Sequence, residues 1–336
     1  MILRQDGSVW STAFTVAGGL VPSRGARKSF VQVIPSDAIA TAAGNGYSLV
    51  LKQDGSLWAT GRNSRGQLGD GTKEKKGTFS VVHTLPGAYA VAAGGHHSMI
   101  LTQEGQVWVA GWNRYGQLGD PSLRSYTTKF FVVMSCGAKA VAAGDIHSVV
   151  IKQDGSVWAA GRNHNGQLGD GSNTDRNMYT QVIPNGVVDV VAGGYHSVLL
   201  KDDGSVWATG WNEYGQLGDG STMDRNSYVR VVPSGAKAIA AGSRHSLMLK
   251  EDGSVWGTGH NAYGQLGGAS KINSIVFMQV ISAGVKTLAA GGFHSMVIKQ
   301  GGSVWAAGAN ENGQLGDGSI LTAATFVRLA IFGRGS

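Results

Sequence analysis

Between Val149 and Gly161 the chain reads Val-Val-Ile, then Lys-Gln-Asp-Gly-Ser, then Val-Trp-Ala-Ala-Gly. A short apolar run, a turn signal and a second β-rich run predict a two-stranded hairpin. Asp-Gly between such runs predicts a two-residue type I′ turn, whose central residues both take positive φ. Centring the pairing on Asp154-Gly155 sets His147 across from Arg162 and Ile151 across from Trp158. On that register Val149, Ile151 and Trp158 share one face, while Val150, Val157 and Ala159 take the other. Both faces are apolar, as a sheet packed between two neighbours requires.

The pattern recurs seven times. Trp10, Trp58, Trp108, Trp158, Trp207, Trp256 and Trp305 follow one another at intervals of 48, 50, 50, 49, 49 and 49 residues. Five turns keep Asp-Gly, and the other two, Glu104-Gly105 and Gly301-Gly302, still place Gly second. A period of this length made of strands predicts propeller blades rather than a helical solenoid. The expected fold is all-β, a single seven-bladed β-propeller domain over residues 1–336. Met1-Ile2-Leu3 aligns with Met99-Ile100-Leu101, so the chain starts partway along a strand. Residues 1–12 and 326–336 are therefore expected to share the closing blade, which hides the edges an open array would expose.

Composition agrees with this picture. At roughly 150 residues per domain the length alone would suggest two domains, but the repeat overrides that count. The chain has 53 glycines in 336 residues without a Gly-X-Y period, which excludes collagen and points to many tight turns. With 42% hydrophobic and 15% charged residues, disorder is excluded as the main state. The lone Cys136 cannot pair within the chain, which fits a reducing compartment and an intracellular protein, cytoplasmic or nuclear. Neither a signal peptide nor a membrane span is expected, since no long apolar window is free of Gly and charge. A formal charge of +7 is read first as solubility, with affinity for nucleic acid, acidic protein or anionic lipid the lesser reading.

Two further motifs recur. Ala-Gly-x-x-His-Ser ends at His97-Ser98, His147-Ser148, His196-Ser197, His245-Ser246 and His294-Ser295, with Tyr47-Ser48 in one more copy. Asn-x-x-Gly-Gln-Leu-Gly begins at Asn63, Asn113, Asn163, Asn212, Asn261 and Asn310. Together with Asp-Gly-Ser-Val-Trp these resemble the repeats of the regulator of chromosome condensation family. The resemblance covers almost the whole chain and implies a seven-bladed propeller, in agreement with the period count. The founding member of that family is a nuclear exchange factor for the small GTPase Ran that also binds nucleosomes. Its relatives include an ultraviolet-B receptor, domains of ubiquitin ligases and a β-lactamase inhibitor. The founding member inserts a β-wedge from one blade, whereas no interval here leaves room for one. The receptor's repeated Gly-Trp-Arg-His-Thr is likewise absent.

No catalytic set is found. His and Ser are adjacent on a strand, so their side chains point to opposite faces and do not pair as base and nucleophile. The Gln-Leu-Gly segments lack the Lys-Ser/Thr ending of a phosphate loop and read as turns. His97, His147, His196, His245 and His294 are expected to make structural hydrogen bonds rather than to bind metal, and Trp58, Trp108, Trp158, Trp207, Trp256 and Trp305 to fill the space between sheets. No metal and no cofactor is expected.

What varies between repeats collects at one end of every blade, because a hairpin returns the chain to where it began. That face would carry Arg62, Arg65, His96, Trp112, Arg114, Tyr115, Arg162, His164, Tyr195, Trp211, Tyr214, Arg244, His260, Tyr263 and Phe293. Trp, Tyr and Arg are enriched at binding hot spots. The alternative is that Trp112, Arg162 and Trp211 only pack between blades. A second basic set, Lys73, Lys75, Lys76, Arg124, Lys129, Arg176, Arg225 and Lys271, would line the rim, diluted by nearby aspartates. The leading functional reading is a monomeric, non-catalytic protein-interaction scaffold; the alternative is a guanine-nucleotide exchange factor for a Ran-like GTPase. Expected partners are proteins, such as a small GTPase or a chromatin protein, with nucleic acid less supported.

Overall fold

Short apolar runs broken by glycine turns give 27 strands and no helix among the residues described, which in this computed structural model are 1–12, 28–123 and 125–330. The strands form six four-stranded antiparallel sheets and one of three strands, arranged as the seven blades of a propeller. Each blade follows chain order, as in Ala138–Ala143, His147–Lys152, Val157–Gly161 and Arg176–Ile183. The first strand of a blade is rich in Ala. First strands of successive blades touch, and their ends line a central channel. Small residues are needed there because the strands converge on the axis.

The hairpin register differs by one residue from the sequence expectation. His147 pairs with Gly161, Val150 with Trp158 and Ile151 with Val157. The turn has three residues, not two: Gly155 N donates to Lys152 O at 2.9 Å, and Lys152 N donates to Ser156 O at 2.9 Å. Only Gly155 has positive φ, at 76°, so this is a type I turn closed by a glycine bulge rather than a type I′ turn. Asp154 serves it differently from the expectation, accepting from Ser156 N at 2.9 Å with its carboxylate. A one-residue slip exchanges faces. Trp158 therefore lies with Val150, while Val149, Ile151, Val157 and Ala159 pack together against Leu199 and Trp207 of the next blade. Burial on both faces holds on either register, since Val149, Val150 and Ile151 are all fully buried.

The ends meet across the ring. Ile2 and Phe30 pack against Val304, Leu315 and Leu329, and Gly318 N donates to Lys28 O at 2.8 Å. Ala323–Arg328 pairs with the Trp305 strand, so Phe326 belongs to the Trp305 blade and not to the blade of residues 1–12. The hairpin of residues 1–12 instead pairs with Val31–Ile34. The remaining part of the expected shared segment, residues 331–336, lies outside the described residues.

Candidate functional site

The Ala-Gly-x-x-His-Ser motif joins neighbouring blades. His97 Nε2 lies 2.8 Å from Ser148 Oγ, and His147, His196 and His245 stand 2.9 Å from Ser197, Ser246 and Ser295. Adjacent His and Ser do not pair, as expected, but each of these four histidines reaches the Ser of the next repeat. Each of those serines donates its own proton to a Gln carbonyl, as Ser148 does to Gln117 O at 2.7 Å. The histidine must then donate from Nε2, leaving Nδ1 bare and buried. Burial lowers the pKa of His97, His147 and His245 to about 3 and that of His196 to about 4. These are neutral structural groups. Tyr47 fills the place of a histidine, donating from its hydroxyl to His97 O. His294 is half-buried and has no serine partner among the described residues.

The glycine of this motif is there for space. A Cβ on Gly144 would stand 2.3 Å from His147 Cε1 and 2.7 Å from Gly193 O. In the Asn-x-x-Gly-Gln-Leu-Gly motif, Asn163 Oδ1 accepts from Leu168 N at 3.0 Å and its amide reaches Asp170 Oδ1 at 2.9 Å, while Gln167 Oε1 accepts from Asn165 N at 3.1 Å. The segments are turns that bury Leu168 and present the residues between Asn and Gly.

The motif tryptophans are half-buried rather than wholly enclosed. Trp207 packs on the preceding blade, donates to Ser205 Oγ at 2.9 Å and carries Lys201 Nζ 4.6 Å above its ring. Trp58, Trp158, Trp256 and Trp305 repeat the lysine stacking and the serine bond, and Trp108 donates to Gln106 instead.

At the other end of the blades the variable residues form two runs of ring contacts, joined by one arginine. His96 meets Trp112 edge-on at 5.6 Å, Trp112 meets Tyr115 at 5.4 Å, and Arg65 lies 5.3 Å over Trp112. Arg162 bridges two blades, 5.4 Å from Tyr115 and 5.8 Å from Tyr195. Tyr195 continues to Trp211 at 5.9 Å, Trp211 to Tyr214 at 5.4 Å and Tyr214 to His260 at 4.8 Å. His260, Tyr263 and Phe293 close the run within 6.0 Å of one another. Arg244 is shared by Trp211, Tyr214 and Phe293, and donates to the Tyr214 hydroxyl at 3.2 Å. Arg62 is exposed near His96, whose pKa is lowered by burial and then by Arg62 and Arg65. Burial and Arg244 act likewise on His260. Arg114 stands apart from the ring contacts, beside a cavity of about 420 Å³ that Tyr115 and Asp175 also line.

The RCC1-like domain profile matches residues 1–234, and RCC1 repeats match residues 236–265 and 285–314. The chain belongs to the RCC1-like family. Human WBSCR16 shares the fold of this RCC1-like chain at a TM-score of 0.83 and 23% identity, over 96% of this chain and 93% of that one. Prp20p of Saccharomyces cerevisiae, described with its binding to Gsp1p and histones, matches at a TM-score of 0.83 and 22% identity, over 93% and 82%. No curated protein matches the sequence.

Two regions of the RCC1-like propeller complete the site. The central channel opens as a cavity of about 380 Å³ lined by the motif glycines with Asn45, Asp145, Ser243 and Phe293. Burial raises the Asp145 pKa. Asp145 went unnoticed in the sequence because it fills a position that is Gly, Ser or Asn in the other repeats. The basic rim is matched in part: Lys76, Arg176 and Arg225 meet Asp70, Asp170 and Asp219 at 3.0, 2.6 and 2.7 Å. Lys73 instead stacks on Tyr126 at 3.7 Å, and Arg124 lies outside the described residues. Among the described residues no His, Cys, Asp or Glu cluster could hold a metal, and no helix is long and apolar enough to cross a membrane.

Proposed function

We propose that this RCC1-like propeller is a non-catalytic scaffold that presents its Trp/Tyr/Arg face to a protein partner. The observation that carries this reading is the pair of ring runs, His96 to Tyr115 and Tyr195 to Phe293, in which half-buried rings are held mostly edge to face across several blades and which Arg162 joins. Rings fixed before binding lose little conformational freedom on contact and still offer apolar area. The packing of Trp112 and Trp211 among their own neighbours does not remove them from solvent, so packing and binding coexist on this face. The exposed, unpaired Cys136 fits a reducing compartment, cytoplasm or nucleus. The test is retention of proteins from cell extract on the immobilised chain, compared with the folded W112A/W211A variant. Equal retention by both would sink the reading.

Exchange on a small GTPase is the second reading, favoured by the fold shared with Prp20p, which is described as binding Gsp1p. Against it stand repeat intervals of 48 to 50 residues, which leave no inserted wedge. Release of labelled guanine nucleotide from a Ran-type GTPase, with substoichiometric propeller added, separates the two: the scaffold leaves the release rate unchanged.

A further inference from the structure

Two sets of arginines differ in their partners. Arg176 and Arg225, at the rim, each have a largely buried aspartate within hydrogen-bond distance. On the aromatic face, Arg62, Arg65, Arg162 and Arg244 have no carboxylate partner among the described residues. Arg65, Arg162 and Arg244 are instead laid over aromatic rings at 5.2 to 5.8 Å. Stacking fixes the guanidinium plane; Arg162 Nε donates to His164 Nδ1 at 3.2 Å and Arg244 Nη1 to the Tyr214 hydroxyl at 3.2 Å, and the remaining N–H groups are left to receive a carboxylate in bidentate fashion. The field on this face is positive where it can be sensed: His96 and His260 are both held further toward the neutral form by neighbouring arginines.

Resting on the scaffold reading above, we infer that the face docks an acidic segment of a protein, whose Asp and Glu carboxylates seat on Arg65, Arg162 and Arg244 while its apolar groups lie against Trp112 and Trp211. Discrete carboxylates suit this surface better than a nucleic-acid backbone does. Asp145 lines the channel mouth, and Glu213 and Glu311 occupy the variable motif positions between the arginines. A nucleic-acid backbone, which holds its phosphates at fixed intervals along the strand, cannot shift them clear of these carboxylates. A peptide can place each of its charges over a separate guanidinium.

The experiment uses the intact propeller and fluorescein-labelled poly-L-glutamate, with poly-L-lysine and single-stranded DNA of matched charge, followed by fluorescence anisotropy at physiological salt. Poly-L-glutamate is expected to bind, and R162A/R244A to weaken it at least about tenfold, the loss of a charge-assisted pair. R162K/R244K, which keeps the charge and loses the planar fork, is expected to fall between the two. Lys286→Ala removes one exposed charge elsewhere and is expected to bind like the parent. Absence of binding, equal weakening by Lys286→Ala, or tighter binding of the DNA would each overturn the inference. Its failure is distinguishable from that of the scaffold reading. If W112A/W211A still loses its partner from extract while poly-L-glutamate does not bind, the face stands and only the acidic chemistry falls.

Discussion

His147 Nε2 stands 2.9 Å from Oγ of Ser197, the serine one blade further round the ring. Since Ser197 donates its own proton to Gln167 O at 2.8 Å, the imidazole is fixed as the Nε2–H tautomer, with Nδ1 buried and unpaired. Among the described residues four such pairs tie successive blades together near the axis, where the strands converge. Two consequences are measurable.

The first is acid sensitivity. Burial holds the folded pKa of these histidines at about 3 to 4, below the value of 6.5 from which they are shifted. Between these limits the unfolded chain binds protons that the folded chain refuses, so stability is complete above pH 6.5 and is lost as pH falls toward 4. The loss is about 1.4 kcal/mol per histidine for each pH unit inside that window. Denaturant midpoints at successive pH values should fall steeply below pH 6.5, with a shallower slope in His147→Asn. A flat profile from pH 6.5 to 4.5 contradicts the assignment.

The second concerns glycine. Gly144→Ala forces a methyl group into the His147 ring and the Gly193 carbonyl and should destabilise by about 1–3 kcal/mol, the usual range for overpacking. Gly301, at the Asp position of its turn, has no positive φ, and a methyl group there would meet nothing within 4 Å. Gly301→Ala should therefore be neutral or stabilising by about 0.4–1 kcal/mol. Thermal unfolding of the two variants side by side decides whether space or backbone freedom keeps the motif glycine.

Trp207 and Trp211 lie in one blade, four residues apart, and should separate cleanly. Trp207 packs on the preceding blade, bonds Ser205 and carries the Lys201 stack, and its loss should cost about 3 kcal/mol. Trp211 loses two edge contacts and one stacked guanidinium, about 1–3 kcal/mol in all. Denaturation measures both, and a Trp211→Ala protein as unstable as Trp207→Ala would mean that the face is part of the core.

The rim ion pairs should be unequal partners. Asp170 accepts from Arg176, Ser172 N and Asn163 Nδ2, so Asp170→Ala strands several donors and should cost about 1–3 kcal/mol. Arg176→Ala leaves the other two bonds in place and should cost less. Burial alone would raise the Asp170 pKa, yet the Arg176, Ser172 and Asn163 bonds overcome it and leave it lowered. A double-mutant cycle in denaturant reads the coupling.

Much of this architecture is local and was legible along the chain. The spacing of seven tryptophans set the number of blades, because each repeat is one sheet's worth of strand and turn. Which residues emerge together at one end of the blades followed from the hairpin returning the chain to its start. That reasoning alone placed Trp112, Tyr115, Arg162, Tyr195 and Trp211 on one face.

Tertiary structure decided what depends on residues about fifty positions apart. The three-residue turn, with Asp154 accepting from Ser156 N and Gly155 alone at positive φ, sets the register that pairs Val150 with Trp158, and the apolar alternation, buried on both faces either way, does not reveal it. The His147–Ser197 bond, and with it the charge state of the imidazole, exists only because adjacent blades converge on the axis. In the same way Arg162 touches Tyr115 and Tyr195 because blade twist swings three repeats together, an arrangement no single repeat encodes.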